Sequence, residues 1–194
     1  MRLKSILVAA ILILAPQLSA TIITYEGTLS GSNENPPTGS SGTGLAVVTT
    51  DDVSNTIHLV ITFSGLTSGD TGAHIHCCVA QGGNTGVATT LPVFTGFPTG
   101  VTSGSYNQTL SLIDPTFYNP SFITAHGGTV AAAEAVLLAG MAADQSYFNI
   151  HTSISPGGEI RAFLVPVPEP ATWGFVGLAL TGLALLGRKH RLSA

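Results

Sequence analysis

The sequence predicts an all-β domain, built as an antiparallel sandwich or barrel with one short helix, between two apolar terminal segments. Residues 20–31, 42–52 and 55–66 each alternate apolar and polar side chains, which is the period of a half-buried strand. Clusters of Gly, Asn, Asp and Ser separate these segments, as turns do. Short strands at this spacing are typical of antiparallel sandwiches and barrels.

The first twenty residues have the organisation of a secretory signal peptide. Arg2 and Lys4 precede the apolar run 6–15, and the segment closes on the small residues Ser19 and Ala20. The apolar run is too short to span a bilayer. We therefore expect residues 1–20 to be removed during export, with a buried N-terminal strand as the alternative.

A second apolar segment lies near the other end of the chain. Residues 171–187 carry no charge, Trp173 lies near one edge, and the basic tail 188–194 follows the other edge. This length is the lower limit for a transmembrane helix, and aromatic and cationic residues mark the interfaces of such helices. Because cations favour the cytoplasmic side, we expect the body of the protein to face away from the cytoplasm.

The order of features in residues 166–194 resembles the PEP-CTERM sorting signal. Pro168, Glu169 and Pro170 precede the Gly-rich apolar helix, and the basic tail follows it. The resemblance implies that an exosortase-type enzyme recognises the tripeptide while the inner membrane holds the chain. The helix and tail are then cut away, and the protein reaches the cell surface or an extracellular polysaccharide matrix. An ordinary single-span anchor is the alternative, and it would leave the localisation almost unchanged.

The charge of the body excludes one class of partner. Five of the six Lys and Arg residues lie in the terminal segments, which leaves Arg161 against nine of the ten acidic residues. A surface of this sign repels phosphate, so nucleic acid is not expected as a partner.

The body, residues 21–165, fits a single domain that can bury a core. Residues 33–42 (NENPPTGSSG) are rich in turn-forming residues and predict a loop between the first two strands. The Ala-rich segment from Val130 to Ala143 follows a Gly pair and predicts a helix at one end of the sandwich. His126 precedes this segment and is assigned to a loop rather than to a site.

The segment AHIHCCVAQ, residues 73–81, carries the first candidate site. On a strand, His74, His76 and Cys78 point to one face, while Ile75 and Cys77 point to the other. Two imidazoles on one face, roughly 6–7 Å apart at their bases, can converge on one ion. Two hydrogen-bonded histidines at the end of a strand are the alternative interpretation.

Residues 146–165 predict a β-hairpin with the loop SISPGG, and its polar face carries the second candidate site. His151 lies on the polar face of the first arm. Glu159 and Arg161 share the polar face of the second arm. The alternative is a Glu–Arg pair that stabilises a strand face, which contributes little if exposed.

Three ordered blocks of the body resemble the CHRD domain. They are YEGTLSGSNENPPTGSSGTGLAVVT, FSGLTSGDTGAHIH and SYFNIHTSISPGGEIRAFL, which together extend over nearly all of residues 21–164. The resemblance implies a single immunoglobulin-like, Greek-key β-sandwich that works as an extracellular module, with a biochemical role that the family does not define.

The segment GLTSGDTGAHIH is also similar to the copper–zinc superoxide dismutases, in which a Gly-Leu turn leads into a strand with a pair of copper ligands. This likeness implies a copper-type site of His74, His76 and His151, with Arg161 drawing in an anion. Glu159 shares the strand face of Arg161 and is a further candidate beside the site, for which copper and zinc are the possible metals. The chain departs from those enzymes in three ways: no histidine- and aspartate-bearing zinc loop is recognisable after residue 80, no fourth, bridging histidine is evident, and no cysteine pair matches the position of their disulfide. These departures favour a simple metal site over dismutase activity.

The two cysteines leave three possibilities. Exported proteins normally pair their cysteines, but Cys77 and Cys78 are adjacent and their side chains diverge on a strand. A vicinal disulfide therefore requires the strand to end at His76. The alternatives are free thiols, or Cys78 as a metal ligand.

Three classes of function follow. We expect a binding or structural module of the cell surface or matrix rather than an enzyme. The alternatives are a copper-dependent, dismutase-like metalloenzyme and a metal-scavenging protein. Serine, cysteine or paired-carboxylate hydrolysis lacks support, because no candidate nucleophile has a base beside it in the sequence.

Overall fold

A computed structural model describes residues 22–168. The predicted signal peptide and transmembrane helix lie outside these residues, as do Glu169 and Pro170 of the predicted sorting signal. None of the helices found between residues 22 and 168 has the length and apolar character needed to cross a bilayer.

Antiparallel strands make up most of the regular secondary structure between residues 22 and 168, so the predicted all-β class is confirmed. The strands are β1 (Ile22–Ser30), β2 (Thr43–Asp51), β3 (Thr56–Ser64), β4 (Asp70–Cys77), β5 (Gly104–Ser111), β6 (Ser146–Thr152), β7 (Ile160–Phe163) and β8 (Val165–Pro166). The hairpin predicted at residues 146–165 is present as β6 and β7, which pair from Tyr147 with Phe163 to Ile150 with Ile160.

The strands form one continuous sheet in the order β4-β6-β7-β1-β2-β3-β5, with β8 also paired to β1, and the sheet curls into a half-barrel. The expected immunoglobulin-like sandwich would consist of two packed sheets, so the structure agrees with the predicted all-β class but not with that finer architecture. The reason lies in β1. It pairs along its whole length with β2 on one edge, and on the other edge it pairs with β7 at Ser30 and with β8 at Tyr25 and Glu26. One strand thus joins the two halves of the fold.

The alternation of side chains places the core on one face of this curled sheet. Tyr25, Leu29, Val48, Leu59 and Phe148 are all buried on it. Burial of such side chains is worth about 1.5–3 kcal/mol each, which makes this face the main source of stability.

Two helices cover part of the core, α1 (Pro120–Ala125) and α2 (Val130–Ala142). The second agrees with the predicted helix to within a residue, and its first turn is capped by the Thr129 side chain. The first was missed, although Asn119 followed by Pro120 is a recognisable start signal, with the Asn119 side chain capping the amide of Ser121. His126 directly follows α1 as its C-cap residue, and its ring lies against Phe122.

The opposite face of β4, β6 and β7 is polar, yet it is largely buried. Two loops cover it, which we call the proline loop (residues 31–42) and the cysteine loop (residues 78–92). The loops are joined to each other, because Asn35 donates a hydrogen bond to the Gly82 carbonyl and Asn84 donates one to the Asn35 carbonyl, each at 2.7 Å. This buried polar layer holds the candidate site.

Candidate metal centre

Three histidines meet on the polar face of β4 and β6. The ladder pairs His74 with Asn149 and Gly72 with His151. His151 therefore lies diagonally across from His74, on the side away from His76. The ring centroids of His74 and His151 are 4.5 Å apart, and those of His74 and His76 are 4.9 Å apart. One nitrogen from each of the three rings lies within 4.8 Å of the other two. The predicted residues therefore converge on a space of the size that one ion needs.

Hydrogen bonds to backbone carbonyls fix the tautomers of two of the rings. Nδ1 of His76 lies 2.8 Å from the carbonyl oxygen of Thr85, and Nδ1 of His151 lies 2.9 Å from that of Pro156. A carbonyl only accepts, so each Nδ1 carries the proton and each Nε2 keeps its lone pair. Nε2 of His151 is buried and has no hydrogen-bond partner within residues 22–168. This is the arrangement by which metal-binding histidines are oriented.

The third ring, that of His74, contacts the ring of His76. Nδ1 of His74 lies 3.1 Å from Nε2 of His76. Because that Nε2 holds a lone pair, the proton between the two nitrogens belongs to His74. Nδ1 of His74 would become a neutral ligand if this proton moved to Nε2 of the same ring, and an ion there could then take both nitrogens as ligands.

Burial keeps the three imidazoles neutral. It is the main reason that the pKa of His74 falls to about 3, and the neighbouring His151 and His76 lower it further. Burial likewise lowers the pKa of His76 to about 4, partly opposed by its bond to Thr85, and lowers the pKa of His151. Neutral imidazole is the form that binds metal, so the cluster is ready to do so at neutral pH.

Tyr147 supports the cluster from the side. Its ring is stacked on His76 with a centroid distance of 4.5 Å and an angle of 8° between the planes. The guanidinium carbon of Arg161 lies 4.7 Å from the same ring centroid. The alternation of SYFNIHT indicates that Tyr147 shares a face with His151, but a role for its ring was not inferred from the sequence.

Arg161 lies in the polar layer, but it points into the two loops. Its side chain is 1% exposed. It donates to the carbonyl oxygens of Asn33 at 2.6 Å and Gly83 at 3.2 Å, and to Oδ1 of Asn84 at 2.7 Å. Arg161 thus ties the proline loop to the cysteine loop.

Glu34 is a functional candidate that sequence reasoning missed. Its carboxylate is 3.7 Å from Nε of Arg161 and accepts a 2.7 Å hydrogen bond from Asn149, the ladder neighbour of His74. Burial raises the pKa of Glu34 to about 7, although Arg161 and Asn149 act in the opposite direction. The available signal was its place in the NENPP block, where an acid two residues before a pair of prolines was taken only as part of a loop.

Glu159 does not pair with Arg161, as one interpretation of the sequence expected. Its carboxylate accepts hydrogen bonds from the Ser40 and Thr152 hydroxyls, each at 2.6 Å, and from the amide and hydroxyl of Thr67. The ion pair of Arg161 is with Glu34 instead. Through these bonds Glu159 connects the proline loop, the segment between β3 and β4, and the end of β6 at one end of the polar layer.

Cys77 and Cys78 form a vicinal disulfide at the end of β4. The strand ends at Cys77, one residue later than the sequence argument required for this bond. Both sulfurs face α2, where Sγ of Cys78 lies 3.7 Å from the Val136 carbonyl oxygen. Neither cysteine belongs to the group of converging histidines.

Comparison with known proteins adds one finding. A family model described as the CHRD domain matches residues 25–164. No curated protein and no solved structure matches the chain.

Proposed function

This chain belongs to the CHRD domain family, and from that premise we propose that it is an extracellular binding module that holds one transition-metal ion on His74, His76 and His151. Domains of this family are generally extracellular. The single observation that carries the metal proposal is the convergence of three neutral imidazoles whose nitrogens lie within 4.8 Å of one another.

The donor set indicates the class of metal. Three imidazole nitrogens suit zinc or copper, whereas magnesium and calcium require oxygen ligands. A three-histidine set leaves a further coordination position for water or for a group of a partner molecule. Binding without turnover would serve a structural module or a metal-scavenging protein equally well.

We do not extend the proposal to superoxide dismutase activity. The likeness to those enzymes assigned Arg161 to draw in the anion, but its side chain is 1% exposed and donates to loop carbonyls.

We propose further that residues 1–20 direct export and that residues 166–194 act as a PEP-CTERM sorting signal read by an exosortase-type enzyme. The chain would be anchored transiently in the inner membrane and then released to the surface or the extracellular matrix. Mass spectrometry of the protein recovered from its host would test this. The proposal requires a mature chain that begins near residue 21 and ends near Pro170.

Metal analysis tests the site itself. The full-length protein is loaded with zinc or copper, dialysed and measured by elemental mass spectrometry. We expect about one equivalent of metal, and a loss of most of it in His74→Ala, His76→Ala and His151→Ala. His58→Ala is the control, because His58 lies on β3 and contacts Asn107 outside the cluster. Retention below about a tenth of an equivalent by the unsubstituted protein would exclude the site.

A further inference from the structure

A groove of about 720 Å³ lies beside the buried polar layer, at the point where the two loops stop covering the sheet. Its floor is formed by parts of β1, β7 and β8, and its walls by the proline loop and the cysteine loop. The residues used below are Glu26, Thr28, Ser32, Gln81, Phe163 and Val165. None of the three metal-binding histidines lines it.

The lining combines one aromatic ring with uncharged hydrogen-bonding groups. Phe163 is half-buried and lies against Tyr147 with a centroid distance of 5.2 Å, which fixes its ring. Ser32 and Gln81 are exposed on the walls, and Thr28 is exposed on the floor. A fixed ring among hydroxyl and amide groups offers a stacking surface and hydrogen bonds to the same molecule.

The charges of the groove disfavour an anionic ligand. Arg161 is the cation among the lining residues, but its side chain is only 1% exposed. Its Nε and Nη1 donate to the loops, and Nη2, which has no hydrogen-bond partner within residues 22–168, is buried. Glu26 is exposed on the floor and carries a negative charge. Phosphate, sulfate and carboxylate groups would meet this charge without an available cation.

The position of the groove also disfavours an extended peptide. Peptides that join a sheet use a free strand edge. The groove lies on the face of β1. Strand β2 pairs along one edge of β1, and the other edge pairs with β8 at Tyr25 and Glu26 and with β7 at Ser30, so that β1 has no long free edge for a peptide.

From these observations we propose that the groove binds a neutral saccharide chain, with Phe163 stacking on a sugar ring and with Gln81, Ser32 and Thr28 contacting hydroxyl groups. The walls are held by the Asn35–Gly82 and Asn84–Asn35 hydrogen bonds, so little ordering is needed on binding. The proposal goes beyond the metal site and does not depend on it.

The test uses full-length protein in a non-glycosidic detergent with a metal chelator present. The probes are neutral hexasaccharides of glucose, mannose, galactose and N-acetylglucosamine, and hexagalacturonate serves as the anionic probe. Isothermal titration should give a Kd below about 1 mM for at least one neutral probe and no comparable binding of hexagalacturonate.

Two matched variants locate the binding. Thr28→Trp fills the floor of the groove and should weaken binding at least about tenfold. Thr109→Trp places the same bulk at an exposed position of β5, three strands away in the same sheet, and should change the affinity less than about twofold. Gln81→Ala, at an exposed loop position, should weaken binding severalfold without a change in the thermal unfolding midpoint.

The proposal is overturned if no neutral hexasaccharide binds below about 1 mM, if hexagalacturonate binds more tightly, or if Thr28→Trp binds as well as Thr109→Trp. Because the chelator removes metal, a failure to bind saccharide in this experiment would not count against the proposed metal site. Loss of the metal site in His151→Ala should likewise leave saccharide binding intact.

Discussion

Nδ1 of His76 lies 2.8 Å from the carbonyl oxygen of Thr85, and this one bond decides which nitrogen of the ring faces the cluster. Thr85 is itself held in place, since its hydroxyl donates to the Cys77 carbonyl at 3.2 Å. The orientation of a candidate ligand on β4 thus depends on the cysteine loop that covers it.

The first prediction concerns metal binding and pH. A site of three ordinary histidines, with pKa values near 6.5, would lose about a thousandfold in zinc affinity between about pH 7.5 and about pH 5.5. Burial lowers the pKa of His74 to about 3 and that of His76 to about 4, so protons do not compete with metal at these two rings in that range. We expect a loss below about thirtyfold by isothermal titration corrected for buffer protonation. A thousandfold loss would contradict the lowered values.

The second prediction concerns Tyr147, whose ring is stacked on His76 and lies beside Arg161. Tyr147→Ala should cost about 3–5 kcal/mol of unfolding free energy and weaken zinc binding at least about tenfold, since the ring that holds His76 is lost. Tyr147→Phe keeps the stacking and should change both quantities little, because the phenol makes only 3.4 Å contacts with Thr85. Equal metal affinity in both variants would show that the stack does not orient His76.

The third prediction concerns Glu34. Its pKa is about 7 in the folded protein and near 4.5 without the fold, so the folded state holds the proton more tightly. The stability from this group is fully present below pH 4.5 and is lost as the pH rises through 7. In urea unfolding of chelated protein, the difference between wild type and Glu34→Gln should fall by roughly 1–3 kcal/mol over that interval. Comparison with the Gln variant cancels the opposite effect of the histidines, and a constant difference would contradict the raised pKa.

The fourth prediction concerns Arg161, which joins the two loops from beneath. Arg161→Met should reduce the free energy of unfolding by about 3–5 kcal/mol, because Glu34 and the loop carbonyls lose their buried donor. Glu26→Gln is the control at an exposed position, with an expected change within about 0.5 kcal/mol. A small effect of Arg161→Met in chemical denaturation would mean that the loops close without it.

The fifth prediction concerns Gly140 on α2, which faces the disulfide. A Cβ at this position would overlap Sγ of Cys77 and lie 2.6 Å from Sγ of Cys78. Gly140→Ala should therefore destabilise the protein by about 1–3 kcal/mol, even though alanine favours the helix. Gly86→Ala meets nothing within 4 Å and should be nearly neutral. Thermal unfolding of the two variants compares them directly, and a stabilised Gly140→Ala would show that α2 moves away from the sulfurs.

Local patterns in the sequence were sufficient for part of this architecture. Alternation identified the hairpin of β6 and β7, and alanine propensity identified α2, because both signals lie within a short stretch of chain. Short α1 was missed, since six residues give too little periodicity against their surroundings.

By itself, the sequence determined the all-β class and the sharing of one face by His74 and His76, since side-chain alternation along a strand is local. The resemblance to the copper–zinc superoxide dismutases added His151 as a third candidate ligand. Only the tertiary structure decided the rest: the register of β4 against β6, the single curled sheet, and the direction of Arg161 into the loops beside Glu34. Pairing between residues about 75 positions apart, and the ion pair between residues 34 and 161, depend on how distant strands and loops pack, which no local pattern specifies.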